Sequence, residues 1–216
     1  MDPLEIYNDL KEKIIWLELE PGRALNLEEL AQSYQVSRNP VTIALTRLDA
    51  EDWVVRQGSH YVVSPLTLDR IREITEIRAL LEVQANVWAM YRISSDQLHE
   101  LKRFRQKLEN LSDTISNKEI VKLDLKFHRL LFKASMNNQL AILLERMLNH
   151  YLRFWLSLPR QIDKETFFVE AKQIIEAIEA KDEARLRALT AEHIRVSVDQ
   201  IMGVSASMYH SGASNG

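Results

Sequence analysis

The sequence predicts a mainly α-helical protein in two parts, a smaller mixed domain over residues 1–66 and an all-helical domain over 67–205. Three observations predict this. Apolar residues recur at three- and four-residue steps along most of the chain, the period of an amphipathic helix. The one alternating, turn-bounded stretch lies at 53–63. After Leu68 no strand pattern returns.

Taken in order, the first helix is expected over 4–17, where Leu4, Tyr7, Leu10, Ile14 and Leu17 share a face. Pro21-Gly22 marks a turn. Asn26 is suited to cap a short helix over 27–34. Gln35, Val36 and Ser37 form a tight connection to a helix over 38–50, with Val41, Leu45 and Leu48 inward. Ser37 is suited to cap it, and Pro40 is tolerated in the first turn. A β-hairpin follows, its arms 53–56 and 60–63 meeting at Gln57-Gly58-Ser59, and Pro65 ends it. Six helices are then expected, over 69–91, 95–112, 117–136, 138–158, 164–180 and 183–204, with Ser95 and Asp182 as caps and Pro159 closing the fourth. Residues 206–216, with Ser, Gly, Ala and Asn, read as a disordered tail.

A 216-residue chain with 46% hydrophobic and 27% charged residues can build real cores. The absence of cysteine excludes disulfides and thiolate metal sites. No apolar run approaches the roughly 20 residues of a membrane span, and no signal-peptide pattern opens the chain, so a cytoplasmic, non-membrane protein is expected. Charge argues against a nucleic-acid partner. Residues 1–66 hold six Lys/Arg against eleven Asp/Glu, a net −5, whereas DNA-binding domains usually carry a basic patch to neutralise phosphates. A case for DNA must therefore rest on pattern.

The pattern is specific. Helix, short helix, three-residue turn, helix and hairpin make a winged helix-turn-helix, in which the second helix of the pair enters the major groove and presents N-terminal side chains to base edges. The stretch "PGRALNLEELAQSYQVSRNPVTIALTRLDAEDWV" resembles the GntR family across about residues 6–65. The resemblance implies double-stranded operator DNA as partner, with Ser37 and Arg38 touching it at the head of the helix. Asn39, Thr42 and Arg47 follow along that helix, and Gly58 and His60 of the wing approach the minor groove. The family usually has Arg at Thr42 and often at Glu28. Because Arg reads guanine and clamps phosphate, its loss implies an altered operator or weaker binding. The alternative is a winged helix kept as a protein–protein module.

The second domain, through "DLKFHRLLFKASMNN" and the later "AEHI", resembles the FCD domain of FadR-type regulators across about 69–205. That resemblance implies a divalent metal held by Asp124, His128 and His193, with a small carboxylate effector on it. Helical-wheel arithmetic agrees. Lys122, Lys126, Arg129 and Lys133 form one wet side, and Asp124 and His128, four apart, lie opposite. His193 faces away from Arg185, Glu192, Arg195 and Asp199. An imidazole–carboxylate set suits zinc, nickel or manganese. The family's remaining imidazole is missing, since its position is Ala171 on an inward face, and His150 is the nearest substitute. A metal-free polar pocket is the alternative. Arg78, one turn before Glu82, lies on the apolar side of its helix. It reads either as half of a buried pair or as a carboxylate clamp. Asn137, Ala171 and Gln200 complete the expected effector set, though Asn137 reads first as a structural, helix-end residue.

The expected protein is thus a homodimeric transcription regulator responding to a small organic acid. A metal-sensing regulator is the second reading. A metal-dependent helical-bundle enzyme is disfavoured, because the chain has no Glu-x-x-His motif, phosphate loop or nucleophile elbow.

Overall fold

A computed structural model of the protein describes residues 1–212 apart from 112–113 and 160–161, with side chains through Ile201. The chain divides into two compact units, Met1–Thr67 and Leu68–Gly216.

In the first unit, α1 (Pro3–Ile15), α2 (Leu27–Ser33) and α3 (Arg38–Ala50) pack with a small sheet of β1 (Ala24–Leu25), β2 (Val54–Gln57) and β3 (His60–Val63). The sheet order is β1-β3-β2, all antiparallel. The hairpin is as the sequence predicts; β1 is additional, a two-residue strand too short to show alternation. Asn26 caps α2 as expected, its Oδ1 accepting from the Glu28 and Glu29 amides. Ser37 stands at the start of α3 but makes no side-chain capping bond, contrary to expectation.

The helix-turn-helix angle is set by backbone chemistry. Gln35 takes a left-handed φ of 55° after α2, the Gln35 amide donates to the Gln32 carbonyl, and the Val36 amide reaches back to Ala31. This paired closure satisfies carbonyls that the helix end would orphan, and it turns Val36 onto the core. The same closure follows α3, where Asp52 is left-handed and the Trp53 amide donates to the Leu48 carbonyl. Trp53 is thereby driven fully into a core with Ile6, Leu10, Ile14, Leu45 and Leu48. Gly58, at φ 61°, makes the wing turn.

The second unit comprises α4 (Leu68–Arg92), α5 (Ser95–Glu109), α6 (Asn117–Ala134), α7 (Asn138–Ser157), α8 (Lys164–Glu179) and α9 (Glu183–Gly212). The helix α4 lies chiefly along α9 and also packs on α7 and α6, while α8 packs on α9 and α5. Ser94, one residue before the expected Ser95, caps α5, and its partner Gln97 completes a capping box. Asp182 accepts from the Arg185 amide, as expected of a cap. The last helix runs to Gly212, past the expected end near 204. Ala206 and Met208 favour helix, and composition alone hid that. The remainder of the expected tail, 213–216, lies outside the described residues. Among the described residues no helix is long and apolar enough to cross a membrane.

Candidate functional site

The helix α3 buries Val41, Ala44, Leu45 and Leu48 and leaves Arg38, Asn39, Thr42, Ile43, Thr46 and Arg47 exposed. Ser37 and His60 are also exposed. The DNA-contacting residues expected on the helix are therefore available to solvent at its head and along its outer side. Not all are free to reach DNA. Arg38 pairs with Glu28 of α2 at 2.5 Å. The Thr42 hydroxyl donates to the Arg38 carbonyl. Arg47 lies 3.4 Å from Glu51 and stacks over the Tyr7 ring. Glu51 is the hub of this side: Tyr7 donates to it at 2.6 Å, and Lys11 and Trp53 also donate. Burial pushes its carboxyl upward, but these donors and the Lys11 charge outweigh that and hold it down to about 2.

In the helical unit, α4, α6 and α9 bring charged groups inward to one cavity. Asp124 and His128 sit one turn apart on α6, with Asp124 Oδ1 3.5 Å from His128 Nε2. His193 of α9 faces them, its Nε2 3.4 Å from His128 Nε2. One ligand atom from each of the three lies within 4.8 Å of the others. Each imidazole is anchored on its far side. His128 Nδ1 lies 2.8 Å from Glu82 Oε1, and His193 Nδ1 lies 2.7 Å from Glu170 Oε2. With each Nδ1 turned to a carboxylate, the two Nε2 atoms are left facing one another beside Asp124 Oδ1. The donor set therefore fits a divalent metal, with carboxylates orienting both imidazoles.

Glu82 also binds Arg78, whose Nε and Nη2 donate to its Oε2 at 3.0 and 2.9 Å. One carboxylate thus joins Arg78 to His128, using one oxygen for each. Both Arg78 and Glu82 are essentially inaccessible to solvent. Burial penalises the Glu82 charge, but Arg78 and His128 hold its carboxyl far below the usual range. Burial also works against a charged His128, yet Glu82 and Asp124 overcome it and raise the imidazole to about 9. Arg78 stacks over Tyr151 at 4.6 Å, and among the described residues its buried Nη1 has no hydrogen-bond partner. A buried donor left unmade costs about 1–3 kcal/mol, so it points to a missing acceptor.

The cavity against these groups is about 60 Å³, counted as space open to the centre of a water. One water needs roughly 10–15 Å³ on that measure, so the space suits a small organic acid. Arg78, Asp124, His128, His193 and Gln200 line it, and Trp155 and Phe167 help form its apolar wall. Glu82 does not line it and stands behind His128 and Arg78. Ala171 is fully buried and brings no ligand atom. Asn137 is absent from the cavity. It caps α7, its Oδ1 accepting from the Leu140 amide, so the structure assigns it to the helix-end alternative. His150 does not join the cluster. The sequence reading missed Glu170. Its position three residues after Phe167 and four before Ile174, on the inward stripe of α8, could have revealed it.

The FCD domain pattern matches residues 73–196, and that of bacterial regulatory proteins of the gntR family matches residues 4–60. The chain belongs to the GntR family of regulators, with an FCD domain. It is 27% identical to YdhC, an uncharacterised HTH-type transcriptional regulator of Bacillus subtilis, over 93% of this chain and 91% of that one. It is 29% identical to the Nta operon transcriptional regulator of Aminobacter aminovorans, over 85% and 87%. E. coli McbR/YncC shares the fold with a TM-score of 0.78 at 23% identity, over 93% of this chain and 97% of that one. This GntR-family protein is a DNA-binding transcription regulator, and the relatives named are regulators, not enzymes.

Proposed function

We propose that this GntR-family regulator adjusts its hold on operator DNA in response to a small carboxylate bound in the cavity of the FCD domain. Asp124, His128 and His193 would hold a divalent cation, zinc, nickel or manganese by donor type. When bound, the cation supplies a Lewis-acidic docking point for the effector's oxygen. Arg78 presents Nη1 to the same carboxylate, Gln200 hydrogen-bonds the polar end, and Trp155 and Phe167 exclude water from the other. The observation that carries the proposal is the pair of facing Nε2 atoms beside an unspent, buried guanidinium nitrogen. With Ala171 in place of an imidazole, three protein ligands leave coordination positions open, as in sites that bind exchangeable ligands.

The proposed assembly is a homodimer, the usual symmetry for readers of paired half-sites. Effector binding would shift a pre-existing balance between states that fit the half-site spacing differently. A thermal-shift screen of small mono-, di- and hydroxycarboxylic acids tests this, run on chelator-stripped protein with and without each metal. A ligand of the native state raises the apparent midpoint. The expected result is a hit that requires metal and is lost in Arg78→Ala. No hit under any metal condition would overturn the proposal. A rise with metal alone, accompanied by a change in DNA affinity, would favour the metal-sensing reading.

A further inference from the structure

We infer that Glu28 is a positioning residue for operator specificity: it holds the Arg38 guanidinium at the head of α3 toward base edges and away from phosphates. The inference rests on the family's DNA binding and on the geometry of the first unit, and it is independent of the effector reading.

The pair crosses the helix-turn-helix. Glu28 lies in the first turn of α2 and Arg38 is the first residue of α3, yet their side chains meet at 2.5 Å. The Asn26 cap and the left-handed Gln35 fix both ends of the connection between them. Both side chains are more than half exposed, so the pair contributes little to stability. Its weight falls on recognition.

Three other cations of the unit are already paired. Lys11 and Arg47 pair with Glu51, and Lys13 pairs with Asp9. The Thr42 hydroxyl is turned back onto the Arg38 carbonyl. Arg38 and Asn39 are then the polar side chains best placed for base edges at the head of α3. An unrestrained arginine there would sample neighbouring phosphates, and phosphate contacts carry no sequence information. Glu28 meets Arg38 at Nη2, and the guanidinium has five N–H donors, more than one carboxylate pairing uses. An acidic DNA-binding unit of net −5 thereby gives up non-specific affinity in favour of discrimination.

The test uses the full chain, an operator duplex that the protein itself selects from a random pool, and a scrambled duplex of equal length. Fluorescence anisotropy is read across about 50–200 mM salt. Glu28→Gln should tighten binding to the scrambled duplex severalfold and steepen the slope of log K against log salt by about 0.9, the value of one new phosphate contact. It should also lower the ratio of operator to scrambled affinity by about fivefold or more, within the range of one bidentate base contact. In an Arg38→Ala background, Glu28→Gln should change neither slope nor ratio. The thermal midpoint of each variant, expected within a degree or two of the parent because both sites are exposed, confirms folding. An unchanged slope and ratio in the parent background would overturn the inference. So would equal changes in both backgrounds, which would make Glu28 a simple repulsive charge.

Discussion

Lys11, Lys13, Arg38 and Arg47 of the DNA-binding unit meet their carboxylates at or near the surface, whereas Arg78 and His128 of the FCD unit meet theirs, Glu82, in the interior. The energetic meaning differs accordingly. Exposed pairs are worth roughly 0–1 kcal/mol and respond to salt. Buried pairs carry a large desolvation cost, and they survive only when each charge is fully matched. In the DNA-binding unit, charge is arranged for an external polyanion. In the FCD unit, Glu82 meets both Arg78 and His128, while Arg78 and the two facing imidazoles border the cavity.

The contrast can be broken at several points. The largest effect is expected from Glu82→Ala, which strands Arg78 and removes the partner of His128 Nδ1. A buried pair broken from one side typically costs about 3–5 kcal/mol, read as a drop in denaturant midpoint of the FCD unit.

In the DNA-binding unit, losing the Tyr7 donor to Glu51 by Tyr7→Phe should cost about 1 kcal/mol, because the acceptor is charged but partly solvated. Its pH signature has a definite sign. The Glu51 carboxyl is held below its ordinary value of 4.5, down to about 2. Its contribution is therefore complete above pH 4.5 and is lost as pH falls toward 2. Tyr7→Phe should flatten that acid limb, and acid titration of the unfolding midpoint checks it.

The smallest contrast lies within the helix-turn-helix. Asn26→Ala should cost about 1 kcal/mol because the cap bonds exist, whereas Ser37→Ala should change stability by no more than a few tenths. Equal losses at the two caps would contradict the observed hydrogen bonding.

Much of this was legible in the sequence because helices announce themselves by period and ends. Val41, Leu45 and Leu48, the Asn26 cap and the inward face of Asp124 and His128 follow from spacing alone. What escaped depends on contacts between elements. β1 is only two residues and exists because β3 lies beside it. Glu170 lies on the inward stripe of α8, but what it does there becomes visible only when His193 of another helix meets it. The Glu28–Arg38 pair likewise needs the turn between two helices to become visible. Asn137 was assigned to two roles because one side chain can serve a helix end or a ligand, and only the position of the Leu140 amide decides.

The central claim is that Asp124, His128 and His193 hold a divalent cation on which an acidic effector docks. The most direct test is elemental analysis of the chain purified without chelator, compared with Asp124→Ala and Ala171→His after equal dialysis. The account predicts close to one metal per chain in the parent, loss in Asp124→Ala and slower loss to chelator in Ala171→His. Equal metal content in the parent and Asp124→Ala would contradict it.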